Sequence, residues 1–288
     1  MNTATVRANA RQAYDLALAG AIGAVIGLYF YVESIRASSV WTRDALAGLL
    51  IGGAIGYAVN AVGPLRDGAW LTFARSSTWG ALAGALGGAI GLILGEVVLG
   101  TFQGGLLGRA LSWAVLGLGI GAGQGIAHRS RPKLIFGLIG GGLGGFVGGW
   151  LFESLRQAMG NRYDLGQGLG VALLGAGLGL GPALVEQALR RAWIQVSNGR
   201  QEGRSYLIGR GVSGLGLDER AAVGLFGDAT VARQHAEIES DAGGFTLRNL
   251  DAQGRTKVNG RDISAPERLN DGDVIELGNT RLVFRNRG

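Results

Sequence analysis

The sequence predicts two parts of different fold class: an all-α transmembrane bundle of six helices, then an all-β sandwich. Three observations predict it. Long uncharged stretches recur through the first two-thirds of the chain. Glycine is concentrated there, with 40 of the 55 residues before Trp193. After Arg190 and Arg191 the texture changes to short alternating runs cut by Gly, Asn and Asp. Charge divides at the same place: residues 1–193 carry 14 Lys/Arg against 8 Asp/Glu, whereas residues 194–288 carry 13 of each. The expected domains are a transmembrane domain over 1–192 and a cytoplasmic domain over 193–288.

The six stretches are Leu16–Val32, Ala45–Leu65, Ser76–Gly95, Ala110–Ala127, Leu134–Phe152 and Leu165–Val185. Each has 17 to 21 residues, close to the ~20 that cross a bilayer as a helix. Glycine weakens a helix in water. In lipid, small residues let backbones approach and no solvent competes for the hydrogen bonds, so glycine-zipper packing is expected. The apolar content excludes a disordered low-complexity segment, and five further spans argue against a cleaved signal peptide.

Orientation follows from the basic residues. With the N-terminus inside, the inner segments hold Arg7, Arg11, Arg66, Arg75, Arg129, Arg131, Lys133, Arg190 and Arg191, and the outer ones hold Arg36, Arg43, Arg109, Arg156 and Arg162. Nine against five favours both termini in the cytoplasm. Arginine outnumbers lysine 25 to 2, which together with abundant Ala and Gly suggests a GC-rich bacterial genome. The expected location is a bacterial inner membrane. Charges scattered between apolar runs make no basic patch on a soluble face, so no nucleic-acid partner is expected.

The spans repeat. "AGAIGAVIGL" from Ala19, "AGALGGAIGL" from Ala83 and "GGGLGGFVGG" from Gly140 share a frame of Gly20, Gly23 and Gly27; Gly84, Gly87 and Gly91; and Gly141, Gly144 and Gly148. The even spans share "IGGAIG" at 51–56, "LGLGIG" at 116–121 and "LGAGLG" at 174–179. The unit is a helical hairpin of about 60 residues occurring three times, and all three copies have the same orientation. Two readings of the bundle are open. In one, the glycines make a tight anchor. In the other, the hairpins surround a path for an ion or solute, with Glu33, Glu96 and Glu153 lining its outer mouth. Polar residues within the spans are few (Asn60, Gln124 and Glu96), which favours the anchor. Formal G-x-G-x-x-G matches at Gly140 and Gly209 lack a strand-turn-helix context and carry no nucleotide site.

The last third reads as short strands: 193–196, 204–209, 235–240, 244–250, 274–278 and 280–286, separated by "SNGRQEG", "DAGG", "VNGRD" and "LNDGD". No Ser-His-Asp, HExxH or paired-carboxylate arrangement is present, His235 is this part's only histidine, and the chain has no cysteine. The expectation is therefore no enzyme, no metal and no cofactor.

Four segments in order, "LIGR" at 207–210, "GDATVARQHAEIE" at 227–239, "TKVNG" at 256–260 and "LNDGDVIELG" at 269–278, give this part its resemblance to forkhead-associated (FHA) domains. The resemblance implies a β-sandwich whose loops bind phosphothreonine peptides. It assigns Arg210 to the phosphate, a suitable role for a planar guanidinium. It places His235 as a brace for the binding loop, Asn259 and Gly260 in a structural turn, and Thr256 in the run that holds the peptide. It also marks departures: Ala232 stands where the family has a phosphate-binding serine, and Gly254 where it has an asparagine. Two lost bonds to a charged ligand, at ~1.5–3 kcal/mol each, would cost a hundredfold or more in affinity. Arg233 and Arg255 flank the changed positions as substitute anion donors. The expected function is a membrane-anchored scaffold whose domain binds a protein partner, phosphorylated on threonine or not. The alternative is a channel or transporter regulated by that domain. Neither reading fixes the oligomeric state.

Overall fold

The computed structural model describes residues 3–34, 39–101, 105–128, 130–159, 163–241, 243–251 and 256–287. It resolves into two compact units: Ala10–Arg66 with Phe73–Leu189, and Arg190 onward with the short segment Asp67–Thr72 and N-terminal residues up to Asn9. Arg36, Arg129 and Arg162 lie outside the described residues, as does the side chain of Gln124.

Six helices make up the first part of the chain: α1 (Thr3–Ser34), α2 (Val40–Asp67), α3 (Trp70–Thr101), α4 (Leu106–His128), α5 (Arg131–Met159) and α6 (Tyr163–Leu189). All six are long and apolar enough to cross a membrane, with 18-residue windows of mean hydropathy 1.4 to 2.0. Leu18, Ile26, Leu86, Ile90, Leu143 and Leu173 face outward and exposed, as lipid-facing residues do.

The repeated frame has a packing reason. A Cβ at the first glycine of each frame would overlap the carbonyl oxygen of a glycine on one even helix: Gly20 on Gly175, Gly84 on Gly52, Gly141 on Gly117. The second and third glycines meet the other even neighbour: Gly23 and Gly27 against α2, Gly87 and Gly91 against α4, Gly144 and Gly148 against α6. Each odd helix is thus wedged between two even ones, and α1 closes the set against α6. The even helices are the inner ones, with 50, 44 and 44% of their windows buried against 22, 22 and 33% for the odd ones. Their first and fifth repeat positions, Ile51 and Ile55, Leu116 and Ile120, Leu174 and Leu178, are all at most 6% exposed and belong to one apolar cluster. Equivalent aliphatic side chains therefore fill the middle of the bundle.

Among the described residues the second part holds eleven strands: β1 (Ala192–Val196), β2 (Ser205–Leu207), β3 (Gly211–Gly216), β4 (Val223–Gly224), β5 (Ala236–Asp241), β6 (Gly244–Asn249), β7 (Thr256–Val258), β8 (Arg261–Asp262), β9 (Glu267–Leu269), β10 (Val274–Leu277) and β11 (Thr280–Asn286). They form two sheets, β2-β1-β11-β10-β7-β8 and β4-β3-β5-β6-β9. Ile194, Leu215, Ile238, Leu247, Ile275, Leu282 and Phe284 meet between them, each at most 1% exposed. The sandwich expected from turn-punctuated alternation is present. Six strands were expected, and β3, β4, β7, β8 and β9 have no counterpart among them. Four of these are only two or three residues long; in β3, "GVSGLG", the buried alternation rests on Ser213 and Leu215, and three glycines erase the β signal.

Candidate functional site

The loops between β3 and β4, β4 and β5, and β6 and β7 gather at one end of the sandwich. The register fixes this end: near the close of β3, Leu215 pairs with Ala236, the first residue of β5. Beyond the strand, Leu217 donates its N–H to the Ala232 carbonyl at 3.1 Å and Asp218 donates to Arg233 at 3.0 Å. Gly216 allows this approach, since a Cβ there would press on the Ala232 carbonyl oxygen at 2.8 Å.

His235 holds the β4–β5 loop. It is fully buried, and its Nδ1 accepts the Ala232 N–H at 3.0 Å. Its own N–H donates to the Leu215 carbonyl, and its carbonyl accepts from Leu250 and Asp251. The far ring nitrogen lies 3.9 Å from the Asp251 carboxylate. A second clamp stands on Asp228, which accepts the Thr230 N–H at 2.9 Å, its hydroxyl at 2.5 Å, the Thr280 hydroxyl at 2.8 Å and the Asn279 N–H at 3.0 Å. Burial pushes this carboxyl upward most strongly of any single influence, but the four bonds together outweigh it and hold the pKa below the ordinary 3.8. Side-chain hydrogen bonds thus brace the loop at Ala232 and at Thr230.

A model of the FHA domain matches residues 206–278. Residues 206–278 are an FHA domain. An oxoglutarate dehydrogenase inhibitor from Corynebacterium diphtheriae is 33% identical over 91 residues, which are 32% of this chain. The chain spans 62% of that curated relative's length. Among solved structures, an FHA domain from a study of phosphothreonine-dependent FHA domain interactions is 31% identical, with a TM-score of 0.32, over 34% of this chain and 98% of its own. The FhaA FHA domain complexed with the intracellular domain of Rv3910 is 32% identical, with a TM-score of 0.30, over 33% of this chain and 99% of its own.

Against this FHA frame the expected site residues separate. Ala232 and Arg233 lie on the β4–β5 loop, with the Arg233 side chain 84% exposed and its Nε 3.8 Å from Asp218. Arg210 does not join them. It precedes Gly211, which pairs with Ser240, whereas Leu215 pairs with Ala236. Arg210 therefore stands at the opposite end of β3, about 13 Å away or more at ~3.3 Å per residue. The residues that leave β3 at the loop end are Leu217, Asp218, Glu219 and Arg220, a segment the sequence reading passed over. Its signal was present in "GLGLDER", where a glycine pair breaks into charge. Within the same unit, Glu219 accepts hydrogen bonds from the Thr72 N–H at 2.8 Å and hydroxyl at 3.2 Å.

Thr256 is fully buried and donates to the Asn249 side chain at 2.8 Å. It supports the β6–β7 loop from below. Gly254 and Arg255 lie outside the described residues. Asn259 and Gly260 both have positive φ, 51° and 80°, and close the two-residue β7–β8 hairpin as a type I′ turn.

The three carboxylates of the bundle occupy unlike surroundings. Glu33 is exposed. Glu96 is half-buried and interacts electrostatically with Asp44. Glu153 is 1% exposed and held by Arg156 at 2.6 Å, Gln157 at 2.8 Å and Arg109 at 3.5 Å. That ion pair joins α4 to α5, so Glu153 fastens helices together.

Proposed function

We propose that this protein is a membrane-anchored interaction scaffold. Its FHA domain binds a protein segment on the β3–β4, β4–β5 and β6–β7 loops, and recognition does not depend on a threonine phosphate. The observation that carries the reading is the braced loop of Ala232–His235: it keeps its hydrogen-bonded shape while offering an alanine and no Arg210. Among the described residues of the β3–β4 and β4–β5 loops, Arg220 and Arg233 are matched by Asp218, Glu219 and Asp228, so no concentrated positive charge awaits an anion. The six apolar helices support a membrane location, and the nine-against-five bias of basic residues is the ground for reading both termini as cytoplasmic at a bacterial inner membrane. The aliphatic centre of the bundle supports an anchor over a conduit.

The test is a peptide-library screen of the full chain in detergent, each sequence offered with threonine and with phosphothreonine. Comparable or tighter capture of unphosphorylated peptides supports the reading. Capture of phosphothreonine peptides alone, abolished by Arg210→Ala, would overturn it.

A further inference from the structure

We propose that the partner segment bound by this domain presents an uncharged aliphatic side chain to the surface made by Leu217, Ala232 and Leu250, with an acidic residue beside it for Arg233. The inference rests on the phosphate-independent reading of the recognition loops and names the chemistry of their ligand.

Two leucines flank the braced loop. Leu217, the first residue beyond β3, donates its N–H to the Ala232 carbonyl at 3.1 Å. Leu250, the first residue beyond β6, donates its N–H to the His235 carbonyl at 2.9 Å. Their backbones therefore stand on either side of Ala232–His235, about two strand spacings or ~10 Å apart. Leu217 packs partly on the core and is half-buried, as is Ala232. Leu250 is 44% exposed. Among the described residues of the sandwich, the other large apolar side chain left exposed is Val212, near the opposite end of β3.

The loop's own hydrogen bonds decide what can sit there. An anion held by a loop needs backbone N–H groups turned toward it. Here those groups are already engaged. Thr230 donates to the Asp228 carboxylate at 2.9 Å, Val231 to the Asp228 carbonyl at 3.1 Å, Ala232 to His235 Nδ1 at 3.0 Å and His235 to the Leu215 carbonyl at 2.9 Å. On the facing stretch, Leu217 and Asp218 donate to the Ala232 and Arg233 carbonyls, and Arg220 and Ala221 donate back to Asp218. A phosphate set against Leu217 and Ala232 would lose water and find no donor to replace it. An aliphatic side chain needs none and gains by leaving water.

Charge selects the neighbour. Arg233 is 84% exposed, and its Nε lies 3.8 Å from Asp218, too far for a hydrogen bond. A carboxylate on the partner segment can therefore pair with this guanidinium without breaking a bond inside the domain.

The full chain in detergent is offered a library of unphosphorylated peptides of random sequence, and the captured peptides are sequenced. Leu, Ile, Val or Met should be enriched at one position, with Asp or Glu close beside it. Alanine at the enriched position should weaken binding about tenfold by fluorescence anisotropy. Leu250→Ser should weaken it about threefold or more, and Ala232→Asp should abolish capture, both with little change in unfolding temperature because neither site is buried. A peptide whose acid is replaced by Gln should lose its sensitivity to Arg233→Gln. Capture without aliphatic enrichment, or binding that ignores both Leu250→Ser and Ala232→Asp, would overturn the inference and leave phosphate-independent recognition standing. Capture of phosphothreonine peptides alone, in a parallel phosphorylated library, would instead sink that recognition and this inference with it.

Discussion

Leu217 donates its N–H to the carbonyl of Ala232 at 3.1 Å. That bond ties the exit of β3 to the β4–β5 loop. Under the proposed function, a cation sharing a ligand with position 232 leaves β3 after Gly216, whereas Arg210 precedes the strand at its other end.

Binding variants should follow the fold. Arg210→Ala is expected to leave affinity for a captured peptide within about twofold, whereas Arg233→Glu, on the loop itself, should weaken it tenfold or more, about 1.4 kcal/mol. Fluorescence anisotropy with the peptide found in the library screen distinguishes them. Equal loss from both variants would count against the assignment.

His235→Ala should be costly without touching any ligand. It removes a fully buried ring and its bond to the Ala232 N–H. Loss of the bond and the cavity left behind together amount to about 2–4 kcal/mol. In a domain of this size that lowers Tm by ~10 °C or more, readable by scanning fluorimetry. A change under 2 °C would remove His235 from its bracing role.

Legibility differed between the two parts for physical reasons. The bundle was readable because lipid leaves only a helix for each long apolar run, and the glycine frame records which faces touch. Even so, the frame did not say that Ile51, Leu116 and Leu174 fill the centre, since the apolar character is nearly uniform around each helix. In the sandwich, strands with β-branched or aromatic alternation such as "TRLVFRN" stood out, while "GVSGLG" did not. Arg210 was assigned to a phosphate by resemblance; β3, which the sequence did not reveal, places it at the far end of that strand from the Ala232 loop.

Asp228 makes the domain acid-sensitive. Its carboxyl is held below its ordinary value, so its stabilising contribution is fully present above the unfolded value of ~3.9. The contribution is lost as pH falls through the folded pKa. Asp228→Asn should lower the unfolding midpoint at neutral pH, and the gap from wild type should close as pH drops below about 4. A gap that stays constant from pH 7 to pH 3 would show that the clamp does not act through its charge.

Glycine substitutions in the bundle should divide by what each Cβ would meet. At Gly84 it would overlap the carbonyl oxygen of Gly52, a backbone atom that cannot turn aside. Gly84→Val must therefore push α3 off α2 and give up contacts along both helices, at an expected cost of about 3 kcal/mol or more. At Gly168, by contrast, an added Cβ meets nothing within 4 Å. Gly168→Ala should be neutral or stabilising by up to ~1 kcal/mol, the helix-propensity difference between the two residues. Titrating detergent-solubilised protein with sodium dodecyl sulfate and following helix content gives both numbers on one scale. If the two variants unfold alike, close glycine contact is not what holds the helices together. If only Gly84→Val fails, the repeated frame is the device that sets their spacing.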